Sequence, residues 1–146
     1  MDTPTPPAAK NWTSIARNVV IVIAIVVIAL IYFGRKIMMG TKYKVSAHES
    51  VNYSEKATED DAKKLAAVMK KVGLFNGSKE SDILLKIDDK EGTVVSVVGW
   101  WDVNKPEVEA GFREIGAAIL AGGFNKPLIV RLLDDHLNTL KDYKIE

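Results

Sequence analysis

Residues 19–33 read VVIVIAIVVIALIYF, fifteen consecutive residues without a charge. Counted from Trp12, the apolar stretch has twenty-two residues. A helix of that length, at about 1.5 Å rise per residue, covers the roughly 30 Å hydrocarbon core of a bilayer. Lipid offers no hydrogen bonds to the backbone, so an apolar segment is helical there even when it is rich in β-branched residues. The stretch therefore predicts a transmembrane helix, with an interfacial extension, over residues 12–39.

The two ends of this stretch carry side chains that suit a membrane interface. Aromatic rings are favoured at that level, and long basic side chains can extend from the span to the headgroups. The predicted interface residues are Trp12, Arg17, Tyr32, Arg35 and Lys36. A cleaved signal peptide is the alternative, but no small-residue cleavage pattern follows the stretch. The segment is therefore predicted to be retained.

Basic residues around the predicted span indicate its orientation. Two precede the uncharged run at 19–33, and four follow this run before residue 45. Because cytoplasmic flanks carry the excess of basic residues, the sequence predicts a single-pass membrane protein with a cytoplasmic carboxyl-terminal domain and the lipid bilayer as a partner. The chain contains no cysteine, which excludes structural disulfides and thiolate metal sites and fits either compartment.

The near-neutral net charge of +1 conceals a division along the chain. Residues 1–44 have a net charge of +5, and residues 45–146 have a net charge of −4. About a hundred residues can bury one hydrophobic core. A mildly acidic domain lacks the basic surface that a phosphate backbone requires, so no nucleic acid is expected as a partner.

Composition divides the chain into four parts. Residues 1–11 contain three prolines and few apolar side chains, which predicts a disordered tail or, as an alternative, a proline-rich docking ligand. The transmembrane helix at 12–39 follows. A basic linker is predicted at 40–44, and a soluble α+β domain at 45–146.

Apolar periodicity after residue 44 predicts four strands and two helices. In chain order these are a strand at 45–53, a helix with Thr58 as N-cap that ends at Gly73, strands at 83–87 and 93–101, a helix from near Asn104 to Gly122, and a strand at 128–133. The turn DDKEG, residues 88–92, predicts a hairpin. Residues 137–145 are expected either to add a fifth edge strand or to fold back over the open sheet face.

This strand and helix order, βαββαβ, is the split βαβ order and resembles the ferredoxin-like superfold. The resemblance concerns the fold and carries no functional residues with it. The expected fold class is α+β, with one N-terminal transmembrane helix followed by a ferredoxin-like antiparallel sheet domain that has two helices on one face.

No constellation of residues predicts a catalytic, cofactor or metal site. Asp134, Asp135 and His136, together with His48, offer metal-type ligands, but acidic pairs after a strand are ordinary turn residues. The glutamates of the second helix have no second catalytic group opposite them, and Ser96 lacks the glycines of a nucleophile elbow. The chain is therefore predicted not to be an enzyme and to use no cofactor.

The strand predicted at 93–101 is apolar on both sides, apart from Ser96. Because successive strand residues face opposite ways, one of its two tryptophans is expected under a helix and the other on the open side of the sheet. A solvated outer row would form the kind of exposed apolar patch that marks an interface. The candidate partner contacts are Val94, Val98, Trp100 and Trp101.

These features predict a non-catalytic accessory or scaffolding subunit. It would be a single-pass, membrane-anchored part of a larger membrane protein complex, contacting other membrane-protein subunits through the transmembrane helix and the open sheet face. The alternative is a membrane-tethered sensor or small-ligand-binding module that uses the same face. Stoichiometric co-purification favours the first function, and ligand-dependent stabilisation of a monomer favours the second.

Overall fold

The computed structural model describes residues 20–31 and 40–146, which belong to two compact units divided after Met38. Residues 20–31 form a helix, α1. Several predicted features lie outside the described residues. They are the disordered tail at 1–11 and the interface residues Trp12, Arg17, Tyr32, Arg35 and Lys36.

Helix α1 corrects the prediction of a membrane span. Over residues 20–31 and 40–146, no helix combines the length and the apolar character needed to cross a membrane. The predicted transmembrane helix is therefore wrong, and so is the single-pass membrane localisation that depended on it.

The second unit consists of one six-stranded sheet and two helices. In chain order its elements are β1 (Thr41–Lys44), β2 (Glu49–Glu55), α2 (Glu59–Lys71), β3 (Ser81–Asp88), β4 (Gly92–Val98), α3 (Pro106–Ala121), β5 (Leu128–Leu133) and β6 (Thr139–Ile145). The strands lie in the sheet in the same order as in the chain. Strands β2 and β3 are parallel, as are β4 and β5, and the other three neighbouring pairs are antiparallel.

Both helices pack on one face of this sheet and share one hydrophobic core. The largest core side chains from the helices are Leu65, Met69, Phe112 and Ile119, and those from the strands are Val51, Ile83, Leu85, Val95, Leu128, Val130, Leu132 and Tyr143. Gly116 allows α3 to approach the sheet, since an added Cβ would lie 2.5 Å from Ile145 Cγ1. The expected placement of two helices on one sheet face is therefore observed.

The mixed sheet shows that the predicted ferredoxin-like fold is wrong. In the split βαβ order a further strand lies between the two parallel strands that each helix connects. Here α2 connects the adjacent strands β2 and β3, and α3 connects the adjacent strands β4 and β5. No position is left between them, so the sheet grows in one direction from β1 to β6.

This linear order gives the two crossover connections opposite hands. Strand β4 runs antiparallel to β3, so the second crossover begins in the opposite direction to the first. Both crossovers nevertheless step the same way across the sheet and place their helices on the same face. One of them therefore has the left-handed sense that parallel βαβ connections seldom adopt.

The two edge strands complete the sheet. Residues 41–44, which the sequence assigned to a linker, form β1 and pair with β2. The predicted strand at 45–53 begins later, at Glu49, because Val45 N–H and Ser46 N–H donate to the Glu49 carbonyl at 2.9 and 3.1 Å and form a turn. Strand β6 is an edge strand paired with β5, so the first of the two alternatives for residues 137–145 is observed.

Two local predictions are confirmed by the hydrogen bonds. Helix α2 begins with a capping box, in which Thr58 Oγ1 accepts from Asp61 N–H at 3.2 Å and Asp61 Oδ2 accepts from Thr58 N–H at 3.0 Å. The hairpin of β3 and β4 closes at Asp88 and Gly92. Gly92 adopts φ +79°, a conformation that glycine reaches without strain.

Candidate functional site

The four candidate partner contacts lie in different environments. Val94 is only 1% exposed, and Val98 and Trp101 are half-buried. Trp100 is 87% exposed, more than any other large apolar side chain in the described residues. Accessibility therefore narrows the candidate contact surface to Trp100.

Gly99 explains how two consecutive tryptophans reach opposite environments. Its N–H donates to the Leu133 carbonyl at 3.0 Å, which keeps the chain against β5 after β4 has ended. A Cβ at this position would lie 2.9 Å from Trp101 Nε1, so glycine leaves room for that indole. Trp101 then packs edge-on against Phe112 of α3, with ring centroids 4.8 Å apart. Trp100 is left pointing outward on a segment fixed by its neighbours.

A chain of ion pairs occupies the open sheet face. Lys86 Nζ lies 2.5 Å from Asp88 Oδ2 and 3.0 Å from Glu91 Oε2. Arg131 continues the chain, because its Nη2 lies 3.0 Å from Glu91 Oε1 and its Nε lies 2.8 Å from Asp142 Oδ1. These five charged side chains satisfy one another, so this part of the face does not offer free charges to a ligand.

The pKa shifts of these groups follow from the same contacts. Hydrogen bonding from Lys86, supported by backbone N–H groups of Glu91 and Lys90, lowers the pKa of Asp88 to about 2. Hydrogen bonds from Lys86 and then Arg131 lower the pKa of Glu91. The pKa values of Lys86 and Arg131 are raised, mainly by hydrogen bonds to Asp88 and Asp142 respectively. All of these groups remain charged at neutral pH.

The metal-type ligands are only partly brought together. Ligand atoms of Asp134, Asp135 and His136 lie within 4.8 Å of one another. Asp134, however, already accepts from the N–H groups of His136 and Asn138, at 2.9 and 2.8 Å, and from Asn138 Nδ2 at 3.0 Å. These bonds, led by the Asn138 side chain, lower the pKa of Asp134. These hydrogen bonds stabilise the loop that precedes β6, and they explain why the three side chains lie close together.

His48 is not part of that cluster. It precedes β2, whereas Asp134 follows β5, and three inter-strand spacings separate these strands. At about 4.8 Å per spacing the separation across the sheet is about 14 Å, too far for the side chains to share one ion.

The carboxylates considered for catalysis also have structural partners. Glu109 Oε1 lies 3.0 Å from Arg113 Nε, and its other oxygen lies 3.5 Å from Lys141 Nζ. The Arg113 hydrogen bond is the main reason that the pKa of Glu109 is lowered. Ser96 is buried within β4, and the histidines of the chain lie outside the strands. The geometry therefore adds no acid, base or nucleophile in a catalytic arrangement.

Glu49 is a buried carboxylate that the sequence analysis did not single out. It is 4% exposed, and its two oxygens accept from Gly77 N–H at 2.6 Å and from Ser46 Oγ at 2.9 Å. The Gly77 hydrogen bond is the main reason that its pKa is lowered. These contacts connect the turn before β2 with the loop before β3. The sequence did contain a signal for this contact, because Glu49 stands at an inward-facing position of the alternating strand predicted at 45–53.

Sequence reasoning also missed a groove between α2 and α3. It has a volume of about 600 Å³. Its lining residues are Val68, Lys71, Val72, Gly111, Glu114, Ile115, Ala118, Ala121 and Gly122. The available signal was the uncharged run at 115–123, IGAAILAGG, in a helix that has one side in solvent.

The chain matches no protein-family model, and no curated protein or solved structure shows significant similarity to it.

Proposed function

We propose that the chain is a non-catalytic subunit that binds other protein subunits in a larger assembly. Helix α1 and the exposed Trp100 are its contact points. Contact with a lipid bilayer depended on the predicted span and is not part of this proposal.

The observation that carries the proposal is the surface of α1. Residues 20–31 contain no charged or polar side chain. Ten of the twelve are large apolar residues, and each is between 47% and 67% exposed. Twelve residues make more than three helical turns, so these side chains cover every side of the helix. A helix that is apolar all round is normally covered by other protein or by an apolar medium.

The free energy available from covering α1 is large. Burying a large aliphatic side chain from full exposure contributes about 1.5–3 kcal/mol. Since the ten side chains are roughly half exposed, covering them would contribute on the order of 10 kcal/mol before the cost of association. That amount is sufficient for a stable subunit contact.

Trp100 supplies the second contact. Tryptophan is enriched among the residues that dominate interface energies, because it buries a large area at a small cost in conformational entropy. The indole lies directly beside the anchored Gly99 and Trp101, so little backbone ordering is required when a partner covers it.

The carboxylates that have hydrogen-bond partners are held by structural contacts. Glu49, Asp88, Glu91, Glu109 and Asp134 each have a pKa lowered by hydrogen bonds from neighbouring groups. The alternative of a ligand module on the open sheet face is less well supported, because ion pairs already use the charges there.

The test is isolation of the full chain from its source under mild conditions, with quantification of stoichiometric partners. Ile25→Asp places a charge in α1 and is expected to abolish the partner contact. Trp100→Ser is expected to weaken it by about 2 kcal/mol, or roughly thirtyfold. Leu140→Ser is the matched control, since Leu140 is also an exposed apolar residue, at 41%, but lies on edge strand β6.

Circular dichroism should show that all three variants keep the folded sheet domain. A wild-type chain that is isolated without a stoichiometric protein partner would contradict the proposal. Equal partner retention in the Ile25→Asp variant and the control would contradict it as well. Stabilisation of an isolated monomer by a small molecule would favour the ligand-module alternative.

A further inference from the structure

The groove between α2 and α3 arises because the helices touch at one point and diverge from it. An added Cβ at Gly122 would lie 2.5 Å from Val68 Cγ2, so the helices are in close contact there. At Gly111 an added Cβ would meet nothing within 4 Å. The space between these two points is the groove of about 600 Å³.

The α3 wall of this groove is unusual for a solvated surface. No residue between 115 and 123 is charged, although the lining residues Ala121 and Gly122 are exposed. The outer side of α2 is different, since Lys63 and Lys64 pair there with acids of the first turn. Small uncharged side chains allow another helix to approach closely, whereas charged side chains keep a helix in water.

One charge stands on each wall. Lys71 lies on the α2 side and Glu114 on the α3 side, and both are exposed. Neither makes an ion pair within the part of the chain that the structure describes. The groove therefore presents an apolar floor between a positive wall and a negative wall.

We propose that this groove is the interface of a homodimer and that its occupant is a second copy of the chain. A two-fold axis that runs along the groove, between two copies that face each other, exchanges its walls, because a rotation by 180° about that line turns the second copy over and maps each side of the line onto the other. Lys71 of one copy then faces Glu114 of the other, and the reverse pair forms at the same time. A surface with one sign on each wall is in this way complementary to itself.

The size of the helix layer sets the strength of the dimer. Helices α2 and α3 have 13 and 16 residues, so they extend about 20 and 24 Å, and each is about 10 Å wide. Side by side they present roughly 400–500 Å² of projected area per copy, which is at the low end for a specific interface. The dimer is therefore expected to be weak and concentration-dependent.

Charge exchange tests the two-fold arrangement. Sedimentation of the full chain should show that Lys71→Glu and Glu114→Lys each weaken dimerisation by at least about tenfold, because each substitution creates two like-charge contacts. The double variant should restore the wild-type dimer. Lys79→Glu is a matched control outside the groove and should leave dimerisation unchanged. A double variant that is no better than the single variants would overturn the proposal.

A cysteine cross-link tests the site even if α1 also associates. The chain has no cysteine, so Ala118→Cys introduces a single thiol into the groove. Mild oxidation should join two copies through this residue if it lies near the axis, because a disulfide requires Cα atoms within about 7 Å. Leu140→Cys should not cross-link.

The other possible outcomes are also decisive. A wild-type chain that remains monomeric at about 1 mM, a concentration at which an affinity of only about −4 kcal/mol would be detected, would overturn the dimer. Loss of a different stoichiometric protein in Lys71→Glu, without any change in self-association, would assign the groove to another partner and would overturn the proposal too. The effect of Ile25→Asp on partner binding is independent of these results. The dimer can therefore be disproved without disproving the proposed subunit function, and the reverse also holds.

Discussion

The unit β2–α2–β3 and the unit β4–α3–β5 have the same order of elements but differently stabilised helices. Helix α2 has a capping box, three acids in its first turn and two lysines in its last turn. Helix α3 has Pro106 and two glutamates in its first turn, but its N-cap, Lys105, makes no side-chain hydrogen bond and its last turn has no basic residue. Side-chain capping and a basic C-terminal turn therefore support α2 alone, and α3 depends more on packing.

The outer surfaces of the two helices differ in the same direction. The ion pair of Glu59 with Lys63, at 2.8 Å, lies on the solvent side of α2. The second half of α3 exposes small uncharged residues instead. The exposed side of α2 is therefore largely charged, whereas that of the second half of α3 is uncharged.

The largest expected effect concerns the packing of α3. Phe112 is buried between Trp101 and Tyr143, with ring centroids 4.8 and 6.3 Å away. Phe112→Ala should lower the free energy of unfolding by about 3–5 kcal/mol, since it removes a core aromatic ring and leaves a cavity. Urea denaturation monitored by tryptophan fluorescence measures this change. A loss below about 1 kcal/mol would show that α3 does not depend on this contact.

The two glycines within α3 should respond oppositely to alanine. Gly116→Ala is expected to cost about 1–3 kcal/mol, because its Cβ would lie 2.5 Å from Ile145 Cγ1 and 3.3 Å from Val130 Cγ2. Gly111→Ala should stabilise the helix by up to about 1 kcal/mol, since its Cβ would enter open space. Thermal unfolding of both variants provides the comparison, and shifts of the same sign would contradict the placement of α3.

The two N-cap positions provide a smaller contrast. Thr58→Ala should cost about 1 kcal/mol because it removes the hydroxyl that accepts from Asp61 N–H. Lys105→Ala should change stability by less than about 0.5 kcal/mol, since Lys105 provides no side-chain cap. Equal losses in chemical denaturation would show that the helices are not capped differently.

The pH dependence should be the smallest effect and should involve the hairpin after β3. The pKa of Asp88 is lowered from 3.8 to about 2, so its contribution to stability is present above the ordinary pKa and is lost as the pH falls from about 4 to 2. The wild-type urea midpoint should therefore decrease over this range. Asp88→Asn should decrease less steeply, and identical slopes would show that this carboxylate does not contribute.

Sequence reasoning reached the local structure but not the order of the strands. Thr58 and the turn at 88–92 carry short-range signals, because capping and hairpin formation depend on residues a few positions apart. Such short-range signals do not determine on which side of a strand the next parallel strand is placed in the sheet. The order of elements alone suggested the split βαβ arrangement, whereas the actual sheet contains crossovers of opposite hands, which parallel connections seldom have.

The remaining errors have similar physical causes. Residues 41–44 are rich in lysine and suggested a linker, but lysine is also common on edge strands, where it discourages further pairing. The apolar run at 19–33 was long enough for a span, yet within residues 20–31 and 40–146 no helix has the length and apolar character to cross a membrane. The groove was missed because it is formed by two helices that are distant in sequence, although the uncharged run of α3 was visible.

The most direct test of α3 as the contact helix compares a position in the groove with a position outside the helix layer. Ala121→Cys places a thiol in the α3 wall of the groove, and Leu140→Cys places one on edge strand β6. Alkylation rates of the two full-length variants are measured over a range of protein concentrations. The alkylation rate at position 121 should fall as the protein concentration rises, while the rate at position 140 stays constant. Rates that are independent of concentration in both variants would contradict the assignment of α3 as the contact helix.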